Sequence, residues 1–544
     1  MNKTLTIKSL NIQQLLSFIE RNNLAVPEFQ RDYVWQIRQI RDLFKSLINY
    51  YPIGSFIIWK NRQNIEARSI FYSTKRKSQY LIIDGQQRLS TISYLCSQQN
   101  FLKVKNEFES ICKSIKPIEF ERFYFKKSIN PELQYSKEHN SEFNFKLFKQ
   151  KLSRYKFPLI IIKENKYENA VNIFEKINQS GTKISTDFIF LSETWNKKSN
   201  LGKTLRIWRT QNKDLLSSKV PNINYIHLMG IIIQLENKKV FKSNNVDVSV
   251  KNLKKIAEII RNEKSTNKYE TILKNCIDSI CSSISFLKKE IQIKNLNELP
   301  SQTLITMLAV FFYYQKNKAL DKRLKELKKL FWRSSVGSRY IGKDYNYNIS
   351  RDPYKLKLLA TKGTPLNLPK HTVTYNELSN VNIHTGKSAL KNSIKLMMWL
   401  RSPKWINNET IYKHESDQKK SKKEDDHFYP FDLYKKNKYL NKDINCLLNV
   451  VYLSKSLNGS KGNKLPSVWL KEKRKSIKNY KSEQYFFKSQ LLPFKDIKEL
   501  EKFENKFINR YNSINKNFKS NYSSFLKNRY TLFKKELNLI QNGN

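Results

Sequence analysis

Apolar residues recur every three or four positions along Ile12–Arg21 and Ile37–Tyr50, the spacing of helices with one buried face. Around them lie short runs of β-branched and aromatic residues, Ser55–Trp59, Tyr80–Ile83 and Phe157–Ile162, which suit buried strands. Ala170–Ile177 returns to helical spacing, and Gly181 stands where a helix C-cap glycine is expected. From about Trp195 to Tyr340 the pattern is almost entirely helical, over Ile223–Leu235, Val250–Arg261, Tyr269–Lys288, Thr303–Gln315 and Leu320–Ser334, which predicts a helical bundle or spacer. Tyr340–Lys370, with its Tyr, Asn, Asp and Pro residues, reads as a connector to a further unit. After Lys471 the chain becomes Lys-rich amphipathic helix. The expected fold class is α+β multidomain: an α/β domain over 1–195, a helical spacer over 196–345, a third domain over 346–475 and a basic helical extension over 476–544.

Charge adds a partner class to this picture. Lys and Arg number 101 against 47 Asp and Glu, so the net charge is 101 − 47 = +54, which favours a polyanion such as nucleic acid. Abundant Lys and Asn with scarce Gly and Pro carry the mark of an AT-rich genome; that bias explains Lys in place of Arg but not the low acid count. With 39% hydrophobic residues the chain is no disordered basic tail. Apolar stretches such as Met307–Tyr314 fall well short of the ~18–20 residues of a membrane span. No export signal is visible at the start of the sequence, so the expected location is cytoplasmic and no membrane partner is expected. The five cysteines (Cys96, Cys112, Cys276, Cys281, Cys446) lack ligand spacing and suit reduced thiols, with Cys276 and Cys281 in a helix core.

Two motifs stand out near the N-terminus. One is Val26-Pro27-Glu28-Phe29-Gln30-Arg31-Asp32-Tyr33-Val34-Trp35; the other is Tyr80-Leu81-Ile82-Ile83-Asp84-Gly85-Gln86-Gln87-Arg88, followed by Leu89-Ser90-Thr91. In the second, a strand running into Asp-Gly and a helix start brings free backbone N–H groups, the positive end of the helix dipole and Arg88 together. That arrangement can cradle a phosphate. Asp84 can hold a metal, and Gln86 and Gln87 can orient a phosphate or a water. A plain strand–helix connection capped by Asp84 uses the same residues, and their types alone leave both open. The standard P-loop is absent: Gly386-Lys387-Ser388 has its ending, but Val381 stands where the first glycine is required.

These two motifs, with Tyr51-Pro52-Ile53-Gly54 between them and Phe174-Glu175-Lys176-Ile177-Asn178-Gln179-Ser180-Gly181-Thr182-Lys183-Ile184-Ser185 after them, closely resemble the ParB/sulfiredoxin-like N-terminal domain of GmrSD-type restriction enzymes. The resemblance implies a nucleotide-binding, NTP-hydrolysing domain that regulates or licenses DNA cleavage and contributes to sensing modified DNA. By position, Asp84, Gly85, Gln86, Gln87 and Arg88 match its signature loop, and Gln30 and Arg31 match the upstream Phe-Gln-Arg motif.

A second constellation lies in the 346–475 domain. Asp425-Asp426-His427-Phe428-Tyr429-Pro430 is followed by the strand-like Leu447–Leu453 run, then by Asn458, Gly459, Lys461 and Asn463-Lys464-Leu465-Pro466. The order Asp-His, Asn, Asn, with nine positions from Asn449 to Asn458, resembles an HNH (ββα-metal) nuclease. The chemistry asks for these types. A divalent Mg²⁺ or Mn²⁺ ion needs hard oxygen ligands, here Asp426 and the Asn458 carbonyl. His427 can accept a proton from the attacking water, since a free imidazole titrates near neutral pH. Asn449 would bond backbone and fix the loop that presents His427, and Lys461 or Lys464 can stabilise charge on the phosphate. The competing view is a surface His beside the charged run Lys419–Asp426, which the paired Asn residues and the Asn-Lys-Leu-Pro close disfavour. His227 is expected in a core; His139, His371, His384 and His414 are expected in solvent.

Together these features predict a single-chain endonuclease of antiphage defence, acting on double-stranded phage DNA, modified DNA included. A nucleoside triphosphate at Asp84–Arg88 would gate cleavage at His427, with self-association into a homo-oligomer left open. Two rivals come from other classes: a non-catalytic, NTP-switched DNA-binding adaptor of a defence complex, and an RNA-cleaving abortive toxin.

Overall fold

The computed structural model describes residues 5–20, 24–27, 35, 37–62, 67–69, 78–96, 153–163, 173, 186–194, 200–263, 267–315, 321–382, 388–406, 408–411, 423–431, 444–475, 483–508 and 517–543. Gln30, Arg31, Gly181, most of the expected helix Ala170–Ile177, and His139, His384 and His414 lie outside these residues. The chain divides into two compact units, one of Met1–Gln211 with Ser249–Thr271, the other of Asn212–Val248 with Ile272–Asn544.

The first unit is built on a mixed six-stranded sheet of β1 (Leu5–Leu10), β2 (Leu24–Pro27), β3 (Phe56–Lys60), β4 (Ala67–Ser69), β5 (Tyr80–Asp84) and β6 (Phe157–Ile162), in the order β1-β6-β3-β5-β2-β4. Strand β5 runs parallel to β2 and antiparallel to β3, and β3 runs parallel to β6. Continuous apolar runs suit the central strands because both faces are covered. Phe56, Ile58, Ile82, Phe157, Leu159 and Ile161 pack on one face against the helices α1 (Ile12–Glu20), α2 (Ile37–Ile48) and α3 (Gln86–Cys96). Ile57, Trp59, Leu81, Ile83 and Ile162 fill the other, with Ile189 of the helix Thr186–Glu193 against them. Strands β1, β2 and β4 carry no strand signal in the sequence. They are short or lie at a sheet edge, where half-polar patterns such as Leu5-Thr6-Ile7-Lys8 suffice.

In the second unit the helix Thr303–Tyr314 is buried from Leu304 through Phe311, which accounts for a sequence apolar on every side. It packs against Asn222–Glu236 and Tyr345–Lys362, while Asp321–Val336 packs against Ala389–Leu400 and Phe518–Ile540. The helices of the 196–345 stretch are thus shared between the two units, and their apolar faces in the second unit close against the C-terminal helices. The segment expected as a connector holds a helix of 18 residues, Tyr345–Lys362, with Pro353 inside it. Ile349, Leu356, Leu359 and Ala360 form its buried face, and a left-handed Gly363 ends it. The polar residues that suggested a loop are buried pairs: Asp352 accepts from Arg339 Nε at 2.7 Å, Arg339 Nη2 at 2.8 Å and the Tyr340 hydroxyl at 2.8 Å.

Candidate active site

Strand β7 (Lys423–His427) pairs antiparallel with β8 (Val450–Ser454), with His427 opposite Val450 and Asp426 opposite Val451. The helix Lys455–Lys461 follows β8 directly, capped by the Ser454 hydroxyl, which accepts from Leu457 N at 3.3 Å. This strand–strand–helix arrangement gathers the sequence-selected residues. Neighbouring residues of a strand face opposite sides. Asp426 pairs with Lys461 of the following helix, whereas Asp425 pairs with Lys395 of the helix Ala389–Leu400. The Lys461 ammonium also donates to the His427 carbonyl. Burial lowers its pKa below that of an ordinary lysine, and Asp426 opposes that shift. Asn458 lies three positions before Lys461 on the same helix, the spacing of one helical face. Lys464, the other lysine candidate, is exposed and pairs with Glu472 instead.

Asn449 is fully buried. Its Oδ1 accepts from Tyr429 N at 3.0 Å, and its Nδ2 donates to Tyr429 O at 3.1 Å and Ile444 O at 3.0 Å. Its own carbonyl accepts from Phe428 N at 2.6 Å, so this one residue holds the turn that leaves His427. The His427 ring is partly exposed and meets Asn445 Oδ1 through Nε2 at 2.8 Å. Asn445 was not selected from the sequence, where a single Asn in a turn carries no pattern.

Among the described residues, no group of three or more His, Cys, Asp or Glu could hold a metal ion. The donors present are one carboxylate, Asp426, and amide or carbonyl oxygens. That hard-oxygen set suits an Mg²⁺-type ion that keeps most of its waters, with Lys461 sharing the carboxylate. The buried neighbourhood includes a second acid. Glu504, at 1% exposure, accepts from Ser467 N at 3.3 Å and from the Ser467 hydroxyl at the start of the helix Pro466–Lys475; burial pushes its pKa up to about 7. An acid whose folded pKa is raised binds its proton more tightly when folded, so its contribution to stability is lost as pH rises from 4.5 to about 7. Glu504→Gln is expected to remove on the order of 3 kcal/mol of that pH dependence. Urea midpoints at pH 4.5 and 8 check this, and an unchanged difference between the two would refute it.

In the first unit, Asp84 ends β5 and Gly85 turns the chain into α3 at φ +91°. A Cβ at Gly85 would strike the Phe56 ring, and one at Gly54 (φ +81°) would strike the Arg88 guanidinium. Arg88 donates to Asp84 Oδ2 at 2.8 Å, Ser55 O at 3.2 Å and Ile53 O, and lies 5.6 Å from the centre of the Phe56 ring. The Tyr155 hydroxyl donates to Tyr51 O at 2.8 Å and accepts from Ile53 N at 3.3 Å. The Tyr51–Gly54 motif and the Asp84–Arg88 loop therefore meet at one end of the central strands β3 and β5, the end at which β2 also stops, at Val26-Pro27. Gln87 is buried, and Gln86 is partly exposed at the helix start. Arg88 neutralises Asp84 and ties the two motifs together.

The two units thus define an α+β protein with one polar edge beside a helix start and one hairpin-and-helix site around a histidine. Residues 12–195 match the family model of the GmrSD restriction endonuclease N-terminal domain. An uncharacterized protein of Methanocaldococcus jannaschii is 24% identical over 542 residues, a match that covers 86% of this chain and 87% of that protein. Among the described residues, no helix is long and apolar enough to cross a membrane.

Proposed function

We propose that the chain is a cytoplasmic DNA endonuclease of antiphage defence, cleaving phosphodiesters at the β7–β8 hairpin as an HNH-type site under the control of a nucleotide at Asp84–Arg88. The observation that carries the reading is the meeting of Asp426, His427 and Lys461 beside a turn fixed by Asn449, within a strand–strand–helix unit. The match of residues 12–195 to a restriction-endonuclease domain supports the defence context. Asp426 and Asn458 would hold Mg²⁺ or Mn²⁺, which when bound supplies Lewis-acid stabilisation of the scissile phosphate. His427 accepts the proton of the attacking water, and Lys461 holds Asp426 in place while adding positive charge near the phosphate.

The test is cleavage of unmodified, base-glucosylated and phosphorothioated double-stranded DNA with Mg²⁺ or Mn²⁺, each with and without nucleoside triphosphate. RNA serves as a parallel substrate. Metal-dependent DNA cleavage that responds to nucleotide is expected. Cleavage of RNA alone would move the chain to the toxin class, and DNA binding without cleavage to the adaptor class. Arg88→Ala is expected to cost roughly 2–3 kcal/mol in the first unit, because it removes charge-assisted bonds to Asp84 and two carbonyls. It should also uncouple cleavage from nucleotide; normal stability and normal nucleotide response in this variant would overturn the gating role.

A further inference from the structure

We propose that Asn445 is the positioning residue that sets the tautomer of His427, placing the neutral ring's lone pair on Nδ1. The proposal rests on the reading of His427 as the proton acceptor and names the atom that does the accepting. Asn445 Oδ1 lies 2.8 Å from His427 Nε2. An amide oxygen only accepts, so Nε2 carries the hydrogen, and in a neutral imidazole the base is then Nδ1.

The contact is built into the fold from both sides. Asn449 Nδ2 donates to Tyr429 O, two residues after His427, and to Ile444 O, one residue before Asn445. Cys446 bridges to Asn382, and its carbonyl accepts from Asn449 N at 3.0 Å. One buried side chain thus fixes the segment that carries the ring and the segment that carries its acceptor, which lie 18 positions apart in sequence. Asn445 itself is only partly buried. A side chain that orients a catalytic imidazole through its second nitrogen leaves substrate binding alone and acts on the chemical step.

Long-range ¹H–¹⁵N spectra of the full chain labelled in its six histidines, recorded at about pH 8 where a free imidazole is neutral, read the tautomer directly. The signal lost in His427→Ala identifies the residue. The wild type is expected to carry the proton on Nε2. Asn445→Leu should shift the ring toward the Nδ1-protonated form and lower kcat about 10–100-fold on the DNA that the wild type cleaves, with KM unchanged. Asn445→Asp, which still offers an acceptor, should keep the Nε2-protonated form. Persistence of that form in Asn445→Leu overturns the proposal. Should the leucine variant not fold, loss of the Nε2 proton in Asn445→Asp overturns it equally, and its retention supports it. The tautomer is read without substrate, so full cleavage by His427→Ala would refute the proton-acceptor reading alone.

Discussion

Replacing His427 by alanine is expected to reduce DNA cleavage by at least ~10²–10⁴-fold, the contribution of a positioned general base, while leaving DNA affinity within about twofold. The loss is expected to be clean because the bonds that hold the hairpin do not run through the ring. It is partly exposed, and its Nε2 meets Oδ1 of the partly buried Asn445. Removing it therefore leaves the hairpin intact: Asp426 stays on Lys461 and Asn449 stays on Tyr429 and Ile444. Asn449→Ala makes the contrast. It leaves buried Tyr429 and Ile444 backbone groups without partners, at roughly 1–3 kcal/mol each, so its activity should fall together with its stability. Cleavage rates, gel-shift affinities and urea midpoints for both variants separate the two cases. Wild-type cleavage by His427→Ala would remove it from the catalytic machinery.

Much of the fold was legible because it follows from periodicity. Buried strands such as Tyr80–Asp84 and Phe157–Ile162, and helices such as Val250–Arg261, announce themselves by runs or spacing that few other structures use. The helix Tyr345–Lys362 escaped because its buried Asp352 is satisfied by Arg339 and by the Tyr340 hydroxyl, a tertiary pairing that no local pattern encodes. The site divides in the same way. Asp426, His427, Asn449 and Asn458 could be picked out as unusual types at telling intervals. Lys461 and Lys464 could not be separated, because with a net charge of +54 lysine is everywhere and only burial tells them apart. Arg88 looks in sequence like a free phosphate ligand; its bonds to Ile53 and Ser55, more than 30 positions earlier, also give it a structural task. The alternation of β7 gives the adjacent Asp425 and Asp426 different lysine partners, Lys395 and Lys461, a difference that identical neighbours in a sequence conceal.

The second large effect is expected at Arg529, which no sequence motif marks. Its side chain is fully buried and donates to four carbonyls: Leu448 O at 2.7 Å, Val450 O at 2.6 Å, Gln490 O at 2.8 Å and Leu491 O at 3.1 Å. Two terms oppose each other in Arg529→Met. Burial lowers the guanidinium pKa from 12.5 to about 9, and relieving that penalty is worth roughly 5 kcal/mol. A cation with a lowered folded pKa carries this penalty in full below pH 9, so neutral pH offers no escape from it. Against it stand four carbonyls stripped of a donor, at about 1–3 kcal/mol each, together with the space left by the shorter side chain. The acceptors outweigh the charge, and a net loss of about 3 kcal/mol is expected. Leu448 and Val450 flank Asn449, so the damage reaches the turn that holds His427. Cleavage should therefore fail in step with stability, unlike in His427→Ala, and Arg529→Lys, which keeps the charge but cannot span four acceptors, should fall between. A urea midpoint for Arg529→Met equal to that of the wild type would show that the buried charge costs as much as its hydrogen bonds return.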